Sequence, residues 1–499
     1  MKTKKTFLNL ISEVIPMIIV SFLGIFKLKI FIQVLGNEML GLYQLFSQIM
    51  VYVAIVDGGL GSAVLYALYK PNSKNDNKKI NQILAGSYKI FSLLGALIFA
   101  IAAVVAFFVP FLIKDYSFNY FYIVLCFVLF SLSNVVGYFF VPFSILFEVK
   151  EKKYIVSLCT QIGQIIQSLL EIILLLIGWS FISVLIMHSV IKLLSNLIIY
   201  LFFKKQYPQY NVKSKDIDIS FSKQIKHLMV HKINGLVSYN IDILIISKLL
   251  GLTSVAIYST YNYIINMLRQ ILDKISGSML AIIGNSLTVD VKQSKKIFDE
   301  LNSMMYFIAI IICVPLLFAI NLFIDLWYGG QIQTNFLIGT VFSIYLFGFI
   351  IKIPITTYVS AAGLFKETKK CAITDTIVNL VLSLILVWKM GICGVVLATF
   401  ISVFIAEYIM KNMIAYKYIF KENVVNFYVN NIKFIIILCI DVLFSWIILK
   451  NIVISNIVVW FLVFSSYFIV NLTLIYLLFK LIKEDKFIDR YKFILKRGK

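Results

Sequence analysis

Four basic residues, Lys27, Lys29, Arg269 and Lys352, sit deep inside long apolar runs. A charge at the centre of a bilayer costs about 2.5–3.5 kcal/mol even on insertion scales, so such residues face a wet cavity or a partner. The acids at similar depth are Asp57, Glu171, Asp242, Asp273, Asp375, Glu407 and Asp441. The four deep cations outweigh the acids expected beside them. A cationic cavity suits an anionic head group such as a phosphate or diphosphate. An exporter of cationic drugs needs the opposite sign.

Two pairings have a geometric reason. Arg269 and Asp273 are one helical turn apart and can neutralise each other locally. Lys27 and Asp242 are 215 residues apart, the offset of an internal repeat described below, and are expected to bridge two lobes on the outer side of a cavity. Asp57, Asp242 and Asp273 are therefore the candidate gating or coupling residues, with Lys27, Lys29, Arg269 and Lys352 as the candidate diphosphate ligands. Several other basic residues sit at run ends, where long side chains snorkel to water, and Lys89, Lys192, Lys232 and Lys433 need no functional role.

The elements that must position these residues are transmembrane helices. Of the 499 residues, 61% are hydrophobic and 14% charged, against about 45–50% and about 25% in soluble proteins. This excludes a soluble globular enzyme, a disulfide scaffold and a disordered chain. Fourteen runs reach the ~20 residues that cross ~30 Å of hydrocarbon: 8–35, 39–68, 83–112, 118–147, 154–177, 181–203, 227–250, 254–284, 300–326, 334–362, 371–388, 392–414, 431–449 and 452–479. The amino-terminal MKTKK and the run behind it read as a retained first span, because the run carries Glu13 and lacks a small-residue cleavage site.

The net charge of +22 is chiefly a topology signal. Thirty-three of the 46 basic residues fall in one alternating set of loops and termini; the other set holds Lys114, Lys389 and Lys450. By the positive-inside rule both termini face the cytoplasm, and nucleic acid is excluded as a partner.

The chain also repeats. VLGNEMLGLY (34–43) aligns with LLGLTSVAIY (249–258) at an offset of 215, and Pro142/Pro354, Val184/Val396 and Leu185/Leu397 align at 212. The unit is six spans, an even number, so the copies share one orientation and an axis along the membrane normal. The expected organisation is an all-α polytopic protein: an N-lobe of six helices (1–210), a C-lobe of six (211–425), and two further helices with a basic tail (426–499). The lobes are expected to face each other across a central cavity. Pro16 with Gly24, and the stretch Asp57–Gly61, are the expected bending points.

Other chemistry finds little support. No GxxxxGK[ST] is present, so ATP hydrolysis through a P-loop is excluded. DGGLG (57–61) lacks the third glycine of a dinucleotide fingerprint. His227 and His231 are spaced i, i+4 but enclose no glutamate, unlike a zincin helix. The six cysteines form no CxxC pair and read as apolar packing residues. No cluster of acid, base and nucleophile stands out, no cofactor is implied, and the chain reads as a non-enzyme.

The stretches 29–49, 53–70, 239–264 and 364–399 carry a resemblance that covers essentially the whole chain. It is to the multidrug/oligosaccharidyl-lipid/polysaccharide (MOP) exporter superfamily, and within it to the Wzx-type polysaccharide flippases. The resemblance implies a V-shaped two-lobe fold that moves an undecaprenyl-diphosphate-linked oligosaccharide outward across the bacterial cytoplasmic membrane by alternating access, with cavity cations holding the diphosphate. It implies membrane lipid, a glycan polymerase and glycosyltransferases as partners, and a groove at the last two spans for the lipid tail. Asp57 of DGGLG and Asp242 of NIDILIIS match recurrent family positions. Where family members often carry an arginine after the DxGLG-like stretch, this chain has Tyr66 and Lys70.

Capsular or exopolysaccharide export is the leading expectation; lipid II flipping and ion-coupled small-molecule export are the alternatives. A membrane glycan polymerase would show a long external loop, and none is seen. Without a P-loop, an ion gradient (H+ or Na+) or the membrane potential is the expected driving force.

Overall fold

In the computed structural model, residues 2–212, 214, 216–221, 241–450 and 452–485 are described. All regular structure among them is helical. Among the described residues, eleven helices are long and apolar enough to cross a membrane. The chain divides into two compact units, Met1–Ala256 and Ile257–Lys499.

The first unit begins with α1 (Lys2–Val53), which carries the first expected span and the first half of the second; between them Gly36 departs from helical geometry at φ 83°. A 3-10 turn (Ala54–Asp57) and the left-handed pair Gly58 and Gly59 then break the second span before α2 (Leu60–Ser73). Next come α3 (Asn77–Ala106), α4 (Tyr120–Val135), α5 (Val141–Val149), α6 (Lys153–Leu176) and α7 (Phe181–Gln206). The expected fourth span is thus two helices, parted by a 3-10 turn ahead of Pro142. The described part of expected span seven includes α8 (Asp242–Leu250); His227 and His231 lie outside the described residues.

α8 is fastened to the first unit. Ser247 Oγ donates to the Leu112 carbonyl at 2.9 Å, and Lys248 Nζ to that of Phe111 at 2.7 Å. Gly41 of α1 lies against the backbone at Leu252, where an added Cβ would sit 2.0 Å from the carbonyl oxygen. These contacts hold α8 within the first unit.

The second unit holds most of α9 (Leu252–Val289), then α10 (Val291–Tyr328), α11 (Phe336–Ile351), α12 (Ile353–Ala361), α13 (Lys369–Met390) and α14 (Ile392–Val403). π-helical turns at Phe404–Met410 and Tyr416–Phe420 flank the short α15 (Lys411–Ala415). α16 (Val424–Leu449) and α17 (Ile457–Leu481) complete it.

Local sequence explains the helix starts. Asp76, Asn119, Ser180, Asp290, Asn335, Asn423 and Asn456 each accept a first-turn N–H with the side chain, a cap worth about 1 kcal/mol. Amphipathicity is inverted, as lipid demands. On α13, Ile377, Val381, Ile385 and Trp388 face outward while Asp375, Asn379 and Ser383 are buried. On α16, Asp441 is buried and accepts from Asn471 Nδ2 of α17 at 2.6 Å.

Candidate substrate and coupling sites

In the first unit, Lys27 of α1 meets a partner that sequence reasoning listed only as a deep acid. Its Nζ lies 3.3 Å from Glu171 Oε2 of α6, and His188 Nε2 of α7 lies 2.9 Å from the same oxygen. The Tyr43 ring closes the group, 5.9 Å from Lys27 Nζ and 6.2 Å from the His188 ring. Glu171 and His188 are buried, whereas Lys27 keeps 20% of its side chain exposed. Lys29 is half-buried.

The two expected gating acids of this unit lie at helix ends. Asp57 Oδ1 accepts the Gly59 N–H at 2.8 Å, which stabilises the left-handed turn between the halves of span two. This is the bend anticipated at Asp57–Gly61. Asp242 is buried in the first turn of α8, where its charge complements the positive helix end.

In the second unit, Arg269 and Lys352 share one aromatic ring. The Arg269 guanidinium carbon lies 4.3 Å from the centroid of Phe349, and Lys352 Nζ lies 5.2 Å from it. Arg269 donates to Tyr345 Oη at 2.6 Å and to Asn266 Oδ1 at 3.3 Å. The expected Arg269–Asp273 pair does not form among the described residues; Asp273 is exposed on α9. Tyr345 and Phe349, one turn apart on α11, offer the guanidinium a hydroxyl and two ring faces, which outcompete a carboxylate free to stay in solvent.

Lys352 is buried, and its charge is met by Glu407. Lys352 Nζ stands 3.8 Å and Lys411 Nζ 2.6 Å from Glu407 Oε2. Glu407 lies in the first π-helical turn; such turns recur at functional sites. The cluster holds two cations and, with Asp375 of α13 in electrostatic reach of all three, two acids. Below it, α13 presents oxygens that lack hydrogen-bond partners: Asp375 Oδ1, Asn379 Oδ1 and Ser383 Oγ.

Two cavities of this unit meet at Asn431. One, of about 600 Å³, is walled by α10, α11, α14 and α16 and is almost wholly apolar, with Leu317, Phe347, Phe404, Ile435 and Leu438 among its lining. Its polar end is a hydrogen-bonded chain: Tyr306 Oη to Tyr408 Oη at 2.7 Å, Asn431 Nδ2 to Tyr408 Oη at 3.0 Å, and Asn302 Nδ2 to Asn431 Oδ1 at 2.9 Å. Asn431 also lines the second cavity, about 200 Å³, with the ion pairs Lys295–Asp299 and Lys433–Glu484.

Against known structures, the chain superposes on a lipid II flippase MurJ in an inward closed conformation with a TM-score of 0.72 at 15% identity, covering 94% of this chain and 98% of that one. It also superposes on an inward-facing multidrug resistance MATE transporter of the MOP superfamily (TM-score 0.64, 14% identity, 81% and 96% covered). The chain shares the fold of these transporter structures. A eukaryotic MATE transporter matches too, with a TM-score of 0.54 at 12% identity over 83% of this chain and 95% of that one. No protein-family profile and no curated protein sequence matches the chain. The shared fold accounts for the polytopic helical architecture; at these identities it carries no residue assignment.

Sequence reasoning missed His188 and Lys411 as members of the two buried clusters. Glu407 and Lys411 are spaced i, i+4, so their pairing was readable. His188 gave no signal, because nothing in its sequence neighbourhood points to a carboxylate on the preceding helix.

Proposed function

We propose that this chain is a flippase for a lipid-linked oligosaccharide, carrying undecaprenyl-diphosphate-linked repeat units outward across the cytoplasmic membrane for capsular or exopolysaccharide synthesis. The observation that carries the proposal is the apolar cavity of about 600 Å³ walled by α16, a helix that follows the twelve spans of the repeat. Its size is that of a ligand pocket, and its lining suits isoprenoid chain while its Tyr306–Tyr408–Asn431 end suits the head-group side. The neighbours fit the same reading. The flippase likeness extends over 94% of the chain, against 81% for the multidrug transporter.

The deep cations supply the complement to the diphosphate: Lys27 and Lys29 in the first unit, Arg269 and Lys352 in the second. Arg269, half-buried on Phe349 with Tyr345 as orienting partner, is the best preorganised of them. Asp57, Asp242 and Asp273 are the proposed gating acids, and both termini face the cytoplasm. An outward-moving anion works against an inside-negative potential by about 2.3 kcal/mol per charge per 100 mV, so cotransport or exchange with H+ or Na+ fits the mechanism. The glycan polymerase and glycosyltransferases of the same pathway are the expected partners.

A second reading, flipping of the peptidoglycan precursor lipid II, is favoured by the superposition on the MurJ structure. Depletion of the protein in cells separates the two. Loss of surface glycan with intact cells supports oligosaccharide export; rapid lysis with accumulated lipid II overturns it. In vesicles, outward flipping of a fluorescent undecaprenyl-diphosphate oligosaccharide, absent with Arg269→Ala, is the direct test.

A further inference from the structure

We infer that Glu171 and His188 form a proton-binding site whose occupancy is linked to anion capture by Lys27. The inference rests on the reading of Lys27 as a phosphate ligand and adds a linkage that this reading lacks.

The geometry sets the charges. Glu171 Oε2 is shared by Lys27 Nζ at 3.3 Å and His188 Nε2 at 2.9 Å. A carboxylate only accepts, so the hydrogen bond requires the proton of His188 on Nε2. With Lys27 protonated, Glu171 ionised and His188 neutral, the group is electroneutral. Its accessibility is one-sided: Lys27 is 20% exposed, Glu171 and His188 1% and 4%. Glu171 Oε1 is buried without a hydrogen-bond partner. An anion arriving from the open side therefore meets Lys27 and cannot reach the other two.

Capture of a phosphate by Lys27 leaves Glu171 as a buried carboxylate whose cation is engaged elsewhere. A buried charge without compensation is strongly disfavoured. Among the described residues, the elements packed against α6 offer little else. α1 presents Lys27 and Tyr43. α7 presents His188, with Lys192 one turn further on. α5 presents Glu148 at its last turn, 4.0 Å from Lys153 at the opposite end of α6. The remedy is one proton taken from water onto the His188–Glu171 pair, giving an imidazolium–carboxylate pair or its tautomer. No electron moves and no covalent bond other than that to the proton forms. Each captured anion thus binds together with one proton, which offsets part of the charge carried against the membrane potential.

The test uses the full-length protein in lipid nanodiscs with inorganic pyrophosphate as probe. Affinity is measured across a pH series and corrected for the ionisation of pyrophosphate itself. The wild-type affinity should fall about tenfold per unit rise in pH, the signature of one linked proton. Glu171→Gln should bind at least as tightly and lose that dependence, and Lys27→Gln should lose binding. An indicator dye in weak buffer should report about one proton taken up per pyrophosphate bound by the wild type; this readout stands even where Glu171→Gln does not fold. Binding that depends on Lys27 but shows equal pH slopes in wild type and Glu171→Gln, or no proton uptake, overturns the linkage and leaves the phosphate reading standing. No binding by the wild type, or equal binding by Lys27→Gln, overturns both.

Discussion

Gly36 and Gly251, 215 residues apart, hold the same backbone conformation: φ 83°, ψ 169° and φ 91°, ψ 173°. The repeat inferred from residue matches thus has a counterpart in dihedral angles. It continues downstream, where a helix break precedes Pro142 and another precedes Pro354, and where Gly178 and Gly391 both take positive φ between consecutive helices. Repeated breaks at repeated positions are harder to obtain by chance than repeated leucines.

Alanine at either glycine should therefore destabilise through the backbone alone. No atom lies within 4 Å of an added Cβ at Gly36 or Gly251, so there is no clash, only a conformation open essentially to glycine. The cost is about 1–3 kcal/mol per site. Thermal unfolding in detergent should show both Gly36→Ala and Gly251→Ala below the wild type. Gly61→Ala is the control: it is helical, equally uncrowded, and should be neutral or stabilising by up to about 1 kcal/mol. Equal midpoints for all three variants would refute the argument.

The segment after α7 should detach from α3 in acid. Asp218 pairs with Lys79 at 2.8 Å, and its backbone N–H donates to the Gln82 carbonyl at 3.0 Å. The Lys79 ammonium beside it holds the Asp218 carboxyl below its ordinary range. A carboxyl depressed in the folded state stabilises above its unfolded pKa, and that contribution is lost as pH falls through the lowered value. Limited proteolysis of segment 207–221 should accelerate as pH drops below the ordinary carboxylate range. Asp218→Asn should be cut readily at neutral pH and respond little to acid.

The sequence carried the architecture and left the pairings open, for a physical reason. Hydrophobic length and the alternation of lysines report on the bilayer, which acts on each helix separately, so spans such as 154–177 and 300–326 were legible one by one. The break at Gly36 falls between the expected runs 8–35 and 39–68, so it was legible too. Partner choice depends on which helix faces meet. Lys27 found Glu171, and Arg269 preferred Phe349 and Tyr345 to the nearby Asp273; no periodicity encodes either. The π-helical turn that places Glu407 between Lys352 and Lys411 is likewise a product of packing. Along one helix the spacing sufficed: Glu407 and Lys411 were a readable pair.

Removing Glu407 should cost more than removing either of its lysines. Glu407→Gln takes from buried Lys352 and half-buried Lys411 the carboxylate they share, and breaking a buried pair costs about 3–5 kcal/mol. Lys411→Met or Lys352→Met leaves Glu407 its other cation, at 3.8 Å or 2.6 Å respectively, and should cost clearly less. Unfolding midpoints of the three variants decide the order. A Glu407→Gln protein as stable as Lys411→Met would mean that the cluster is solvated.

Lysine should not replace Arg269. The guanidinium lies over Phe349 at 4.3 Å while donating to Tyr345 Oη at 2.6 Å and to Asn266 Oδ1 at 3.3 Å. Stacking and directed donation together need a planar fork; an ammonium offers a point charge. Arg269→Lys keeps the net charge, so a purely electrostatic role predicts near-normal transport. Preorganisation predicts a loss of roughly tenfold in flipping rate, about 1.4 kcal/mol, with little change in unfolding midpoint. Tyr345→Phe removes the orienting hydroxyl and should produce part of the same loss, and adding it to Arg269→Lys should cost less than the two losses combined, because both act on one contact. Flipping of a fluorescent undecaprenyl-diphosphate oligosaccharide in reconstituted vesicles reads all three; full activity of Arg269→Lys would reduce Arg269 to a charge.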